Sequence, residues 1–195
     1  MRNILSLLGA LLAIGSVVPY LIDIIKRKTR PNIVSWITWT ILTAIATAAA
    51  FAAHEPRSAI LTLATSLGTL SVVLLGLKYG IAKFTLFDGI CQTAAIIGLI
   101  LWFVFNSPLI ALVASLGVDF IGLLPTLRHS WLKPGEETWQ AFGIAFFASA
   151  FTIASIKTFT VTGLLFPVYL TLADGSLALM LIYRRRHLNL KRVDK

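Results

Sequence analysis

Residues 17–36 read VVPYLIDIIKRKTRPNIVSW, and residues 123–139 read LLPTLRHSWLKPGEETW. Each stretch carries an apolar run through a proline, turns in a basic region, and reopens with a basic residue joined to proline. A hydroxyl and a tryptophan then follow at the same spacing: Arg30-Pro31 leads to Ser35-Trp36, and Lys133-Pro134 to Thr138-Trp139. Further along, Gly68-Thr69-Leu70 corresponds to Gly175-Ser176-Leu177. The offsets are 106 residues from Pro19 to Pro125, 103 from Pro31 to Pro134 and 107 from Gly68 to Gly175. Length differences therefore fall in loops, and residues 1–80 repeat as residues 108–186.

The medium in which this repeat folds follows from composition. Of 195 residues, 57% are hydrophobic and 13% charged, with a net charge of +9 and a mean hydropathy of +0.87. A water-soluble domain carries charge on about a quarter of its residues, so a soluble enzyme, a disulfide scaffold, a disordered chain and a coiled coil are all poor readings. Seven apolar segments, 4–25, 33–53, 59–77, 86–105, 109–127, 139–156 and 161–183, are each long enough to cross a bilayer. They are continuously apolar, which favours helices over the alternation of a barrel. The first runs too far, into a basic cluster, to be a signal peptide.

Lys and Arg collect on the cytoplasmic side of a membrane. With seven crossings, fourteen of the seventeen fall on one side; if 86–105 did not cross, they would divide 7 against 10. The expectation is a multi-pass protein of the inner (plasma) membrane, with the N-terminus outside and a basic tail, 187–195, in the cytoplasm. The basic residues lie between apolar runs and form no groove-sized patch, so no nucleic acid is expected as a partner. Cys91, the single cysteine, sits in an apolar run and serves packing.

Three crossings end on the side opposite their start, so a copy in the same orientation needs one more. Segment 86–105, within 81–107, supplies it. The expected fold class is an all-α membrane protein of seven transmembrane helices: two parallel three-helix bundles joined by a linker helix, 3+1+3. This plan, the outside N-terminus, the proline near the cytoplasmic end of spans 1 and 5, and the basic-Pro-x3-hydroxyl-Trp start of spans 2 and 6 resemble the SWEET and PQ-loop superfamily over essentially the whole chain. Tyr20 and Thr126 stand where the eponymous pair has glutamine. Spans 2 and 6 lack the internal prolines of the sugar-transporting members, and Thr65, Ser66, Ala173 and Asp174 occupy the neighbourhood where those members carry asparagines. The resemblance implies a solute path between the two bundles, opened alternately to either side, by uniport or with proton coupling. Relatives that resemble cargo receptors imply the alternative of a non-transporting receptor or sorting module.

Proline removes a backbone hydrogen bond within a helix, so Pro19 and Pro125 are the hinge candidates; Pro167 has no partner in span 3 and reads as a kink. Most acidic residues have a structural account. Asp23 is spaced to pair with Arg27, Thr85 to Asp88 has capping-box spacing, Glu136 and Glu137 suit the start of span 6, and Glu55 and Asp194 lie in loop and tail. Asp119 and Asp174 remain deep, where an ionised Asp costs about 2.5–3.5 kcal/mol. They are the candidates for binding a polar solute or a coupling proton, with hydrogen bonding inside the helices as the other reading. Trp39, Thr43 and Thr47 form a polar stripe on span 2, and Thr62, Thr65, Ser66 and Thr69 another on span 3. Trp39, Thr43 and Ser66 are taken from these to complete a substrate pocket, while Trp36 and Trp139 suit the interface.

No nucleophile and base pair or metal-ligand set emerges, and His54, His129 and His187 have no obvious partners, so neither an enzyme nor a cofactor is expected. The expected partners are a small-molecule solute, such as a sugar, amino acid or related metabolite, and the lipid bilayer. A homo-oligomer is compatible with this plan.

Overall fold

A computed structural model describes residues 2–52, 56–104, 108–156 and 161–193. His54, Glu55, Lys157, Thr158 and Asp194 lie outside the described residues. Within them, all regular structure is helical: α1 (Arg2–Gly15), α2 (Val17–Ile25), α3 (Ile33–Ala52), α4 (Pro56–Tyr79), α5 (Leu86–Val104), α6 (Pro108–Leu132), a 3₁₀ turn (Pro134–Glu136), α7 (Trp139–Ser155) and α8 (Val161–Val193).

The boundaries have local causes. Pro19 lacks the amide that would bond the carbonyl of Gly15, and the chain turns at Ser16, whose hydroxyl donates to the Ala13 carbonyl at 2.7 Å. Pro125 and Pro167, by contrast, sit inside unbroken helices. α2 ends in a tight turn in which the amides of Lys28 and Thr29 both donate to the Asp23 carbonyl, with Arg27 in the left-handed region at φ 56°. Arg27 lies past the helix end, and among the described residues it forms no ion pair with Asp23, contrary to the spacing argument. Asn32 caps α3, its side-chain oxygen accepting the Val34 amide at 3.1 Å. The capping box at α5 forms as expected: Asp88 accepts the amide and hydroxyl of Thr85, each at 2.6 Å. α6 runs on to Leu132 and α8 to Val193, so residues 187–193 of the basic tail are helical.

The helices pack as two compact units: Met1–Arg30 with Leu127–Lys195, and Pro31–Thr126. These do not follow the order of the sequence repeat. In the first unit α1 lies along α7, and α7 along α8. Gly9 permits the approach, since a Cβ there would stand 3.0 Å from the Ala148 carbonyl oxygen. In the second unit α3 packs along α4 and touches α5, and α6 meets α3 where a Cβ on Gly122 would stand 2.9 Å from Thr38. Each unit thus joins the first-type helix of one repeat to the second- and third-type helices of the other.

Corresponding regions of the two units make similar contacts. The residue after the helix proline reaches the start of a second-type helix: Thr126 donates to Ser35 at 2.8 Å, and Tyr20 to Glu137 at 2.7 Å. The proline at that start is held from the third-type side of each unit, by the loop after α4 and by a side chain of α8. Ala82 donates its amide to the Pro31 carbonyl at 2.9 Å, and Arg185 donates Nε–H to the Pro134 carbonyl at 2.8 Å.

The outward faces are apolar. Ile4, Leu7, Leu11, Ile14, Val18, Ile22 and Ile25 recur every three or four residues along α1 and α2, each between 44% and 62% exposed. Leu63, Leu67, Leu70, Leu74 and Leu77 repeat the pattern on α4. Among the described residues one helix, Leu7–Ile25 taken through the turn at Ser16, is long and apolar enough to cross a membrane by length and composition; Ile33–Ala44, Thr65–Tyr79, Leu86–Ile97 and Trp139–Ser155 are shorter apolar stretches.

Two substitutions test this packing. A Cβ at position 175 would stand 2.7 Å from the Phe146 ring, so Gly175→Ala should cost about 1–3 kcal/mol, read as a lower unfolding temperature. Arg27→Gly should raise it, because glycine relieves the left-handed strain by about 0.5–1 kcal/mol.

Candidate functional site

The polar side chains of the first unit converge where α2 ends and α7 begins. The turn after Asp23 buries Thr29, and the Arg30 amide donates to the Glu136 carbonyl at 2.8 Å, tying the two prolyl loops together. Thr138, also buried, donates its hydroxyl proton to the Asp23 carboxylate at 3.0 Å. Its oxygen lies 2.5 Å from that of Thr29. A hydroxyl has one proton to give, so the relay runs from Thr29 to Thr138 to Asp23. Asp23 therefore has a hydroxyl partner from α7's cap in place of the arginine expected one turn on.

Glu136 and Glu137 diverge because Glu137 is extended, at φ −126° and ψ 148°, and successive side chains of extended backbone point to opposite sides. Glu136 lies 3.4 Å from both His129 and Lys133. His129, expected in a loop without partners, is in the last turn of α6 and faces this carboxylate. Glu137 turns inward and is fully buried. Its place before α7 is the one expected; its burial is what the structure adds.

One oxygen of Glu137, Oε2, accepts the proton of Tyr20 at 2.7 Å; Tyr20 is itself fully buried and sits edge-on to Phe142 with ring centroids 6.2 Å apart. The other oxygen, Oε1, has no hydrogen-bond partner among the described residues. Arg185 binds the backbone carbonyls of Glu137 and Pro134 and so offers its charge without bonding the carboxylate. Burial is the main influence on the acid and pushes its pKa up to about 8. Tyr20 and Arg185 pull it down and the Glu136 charge pushes it further up. Burial in turn lowers the Arg185 pKa, while Asp23 and Glu137 raise it. A buried carboxyl short of donors is more stable holding its proton.

Beside this cluster is a recess of about 370 Å³ lined by Asp23, Lys28, Thr29, Gly135, Gln140 and Arg185. Its wall presents one carboxylate, two cations and two neutral hydrogen-bonding side chains, a set suited to a small polar molecule bearing charge.

The residues singled out from sequence lie elsewhere. Asp119 is half-buried on α6 in the second unit, and Asp174 half-buried on α8 in the first. Trp39, Thr43 and Ser66 belong to the second unit, on α3 and α4. Thr43 donates to the Trp39 carbonyl of its own helix at 2.8 Å. Trp39 meets the Trp36 ring edge-on at 5.0 Å, and Trp36 is buried at 6% exposure, a core residue instead of an interfacial one. The tryptophan at a surface is Trp131, 48% exposed, with the Arg184 guanidinium 4.6 Å above its ring.

Glu137 gives the stability of the fold a pH dependence. Its pKa is raised from 4.5 to about 8, so its contribution is fully present below about pH 4.5 and is lost as pH rises through about 8. The unfolding temperature should fall across that window, and Glu137→Gln should flatten the fall. Compared with protein families, with curated proteins and with solved structures, the chain shows no significant match.

Proposed function

We propose that the chain is a membrane carrier of the SWEET and PQ-loop type, with seven spans in the 3+1+3 plan, the N-terminus outside and the C-terminus in the cytoplasm. It moves a small polar solute by alternating access. The observation that carries this reading is a pair of similar contacts, each from the residue after a helix proline to the start of a second-type helix: Tyr20 on Glu137 and Thr126 on Ser35. They pair the elements of a duplicated helical module in two like units, the construction on which alternating access rests.

The outward faces support the membrane. From Ile4 to Ile25 the exposed stripe is about 32 Å long at 1.5 Å per residue, against a hydrocarbon core of about 30 Å. A helix facing water would carry polar residues there. In α8, Leu177 and Leu181 are fully buried while Leu172 and Leu179 are 67% and 69% exposed, so both faces are apolar and the outer one requires lipid. The basic residues after α2 and at the end of α8 then face the cytoplasm.

Asp119 and Asp174 are the carboxylates assigned to the solute or its coupling proton, with Trp39, Thr43 and Ser66 beside the path. The recess at Asp23 and Arg185 supplies mixed charge to a polar solute at the basic end of the first unit. Purified protein in liposomes should accelerate entry of radiolabelled glucose or of a labelled amino-acid mixture. Asp119→Asn or Asp174→Asn should slow that flux by about tenfold or more, a loss of about 1.4 kcal/mol of transition-state stabilisation. Saturable binding from one face with no flux would sink the carrier reading and favour a receptor.

A further inference from the structure

We propose that Glu137 is a proton-binding site that latches α2: neutral Glu137 stays buried beneath Tyr20 and holds α2 against the start of α7, and loss of the proton draws the charged carboxylate toward water and loosens α2 from that seat. The role in coupling rests on the carrier reading; the proton-linked movement does not.

The geometry carries this. Tyr20 and Glu137 are both fully buried, and their 2.7 Å bond joins α2 to the residue just before α7's cap. Pro19, next to Tyr20, leaves α2 without one of its helical hydrogen bonds while the backbone stays helical through Ser16, at φ −61° and ψ −31°, so the latch sits where the helix is held less firmly by its own backbone. Oε1 of Glu137 is buried without a partner among the described residues, a state that suits a carboxylic acid better than a carboxylate. The upward push of burial on its pKa agrees.

Ionisation would strengthen the bond from Tyr20 but leave a buried charge with that one donor among the described residues, a desolvation cost that only exposure to water relieves. The charged and titratable groups around it do not supply another. α2 presents Tyr20 and Asp23; the 3₁₀ turn presents Glu136, which faces His129 of α6 and Lys133; α7 has no titratable side chain. α8 presents Arg185, whose bonds go to backbone carbonyls, and Lys28 lies at the recess beyond. Movement of α2 would open this corner toward the recess lined by Asp23, Thr29 and Arg185.

The test is hydrogen exchange of residues 17–29 in the full chain reconstituted in liposomes, corrected for the intrinsic effect of pH. Between about pH 6 and about pH 9, exchange in the wild type should rise about tenfold. Glu137→Gln, which cannot ionise, should stay slow throughout. Glu136→Gln should shift the midpoint to lower pH, because it removes a charge that holds the Glu137 proton. Exchange that does not respond to pH in the wild type, or responds alike in Glu137→Gln, overturns the latch. Should Glu137→Gln fail to fold, an unmoved midpoint in Glu136→Gln overturns it instead. Labelled glucose and amino-acid flux through the same liposomes separates the two readings. Flux without the pH-gated exchange removes the latch and keeps the carrier; gated exchange without flux removes the carrier and keeps the latch.

Discussion

A hydroxyl that follows a helix proline, buried against the start of a helix from the other repeat, is the contact on which both units depend. A helix start leaves amides without intrahelical partners, and the prolyl loops at 31 and 134 bring such starts into the interior of each unit. Thr126 is fully buried on Ser35, and Tyr20 is fully buried on Glu137. The first-type helix is thereby fastened to a second-type helix far away in sequence. Small residues let the backbones close: Gly9 faces α7, and Gly122 faces Thr38. Exchange of the first helices between the repeats follows from these fits.

The two units solve the same problem with different chemistry. In the second, the polar start of α3 is completed by Asn32, which donates to Asp88 at 3.0 Å while accepting the Val34 amide. Asp88 is buried at 3% exposure, and both its oxygens have donors, from Asn32 and from Thr85. In the first unit the acid is Glu137, one of whose oxygens has no donor among the described residues. A fully satisfied carboxylate is a fixed structural tie; one short of donors is poised to exchange a proton. That difference arises inside a repeated framework.

Charge at the basic end is organised around backbone carbonyls as much as around carboxylates. Arg184 donates twice to the Trp131 carbonyl, at 3.1 and 3.0 Å, and Arg185 bridges Pro134 and Glu137. α8 is therefore anchored by its arginines to the loop that begins α7. A change in that loop acts on α2, α7 and α8 together, because each has a direct bond to it.

The all-helical character, the apolar runs, the capping box at Thr85 and Asp88 and the duplicated proline signature were legible from residue order, because each depends on groups a few positions apart. The repeat also marked which residues occupy equivalent places. Residue order did not show which copies pack together. That depends on side-chain fit between helices more than a hundred positions apart, as between Tyr20 and Glu137. It likewise paired Asp23 with Arg27, where a left-handed turn and the Thr138 hydroxyl intervened, and it placed Trp36 at an interface, whereas the ring is buried within the second unit. Residue order placed Glu137 at a helix start, which attracts negative charge, and said nothing of its burial. Only the extended backbone at that residue, set by the 3₁₀ turn before it, aims the side chain inward. Local spacing determined the elements and their ends; burial, which requires the whole packed unit, decided which carboxyl holds a proton.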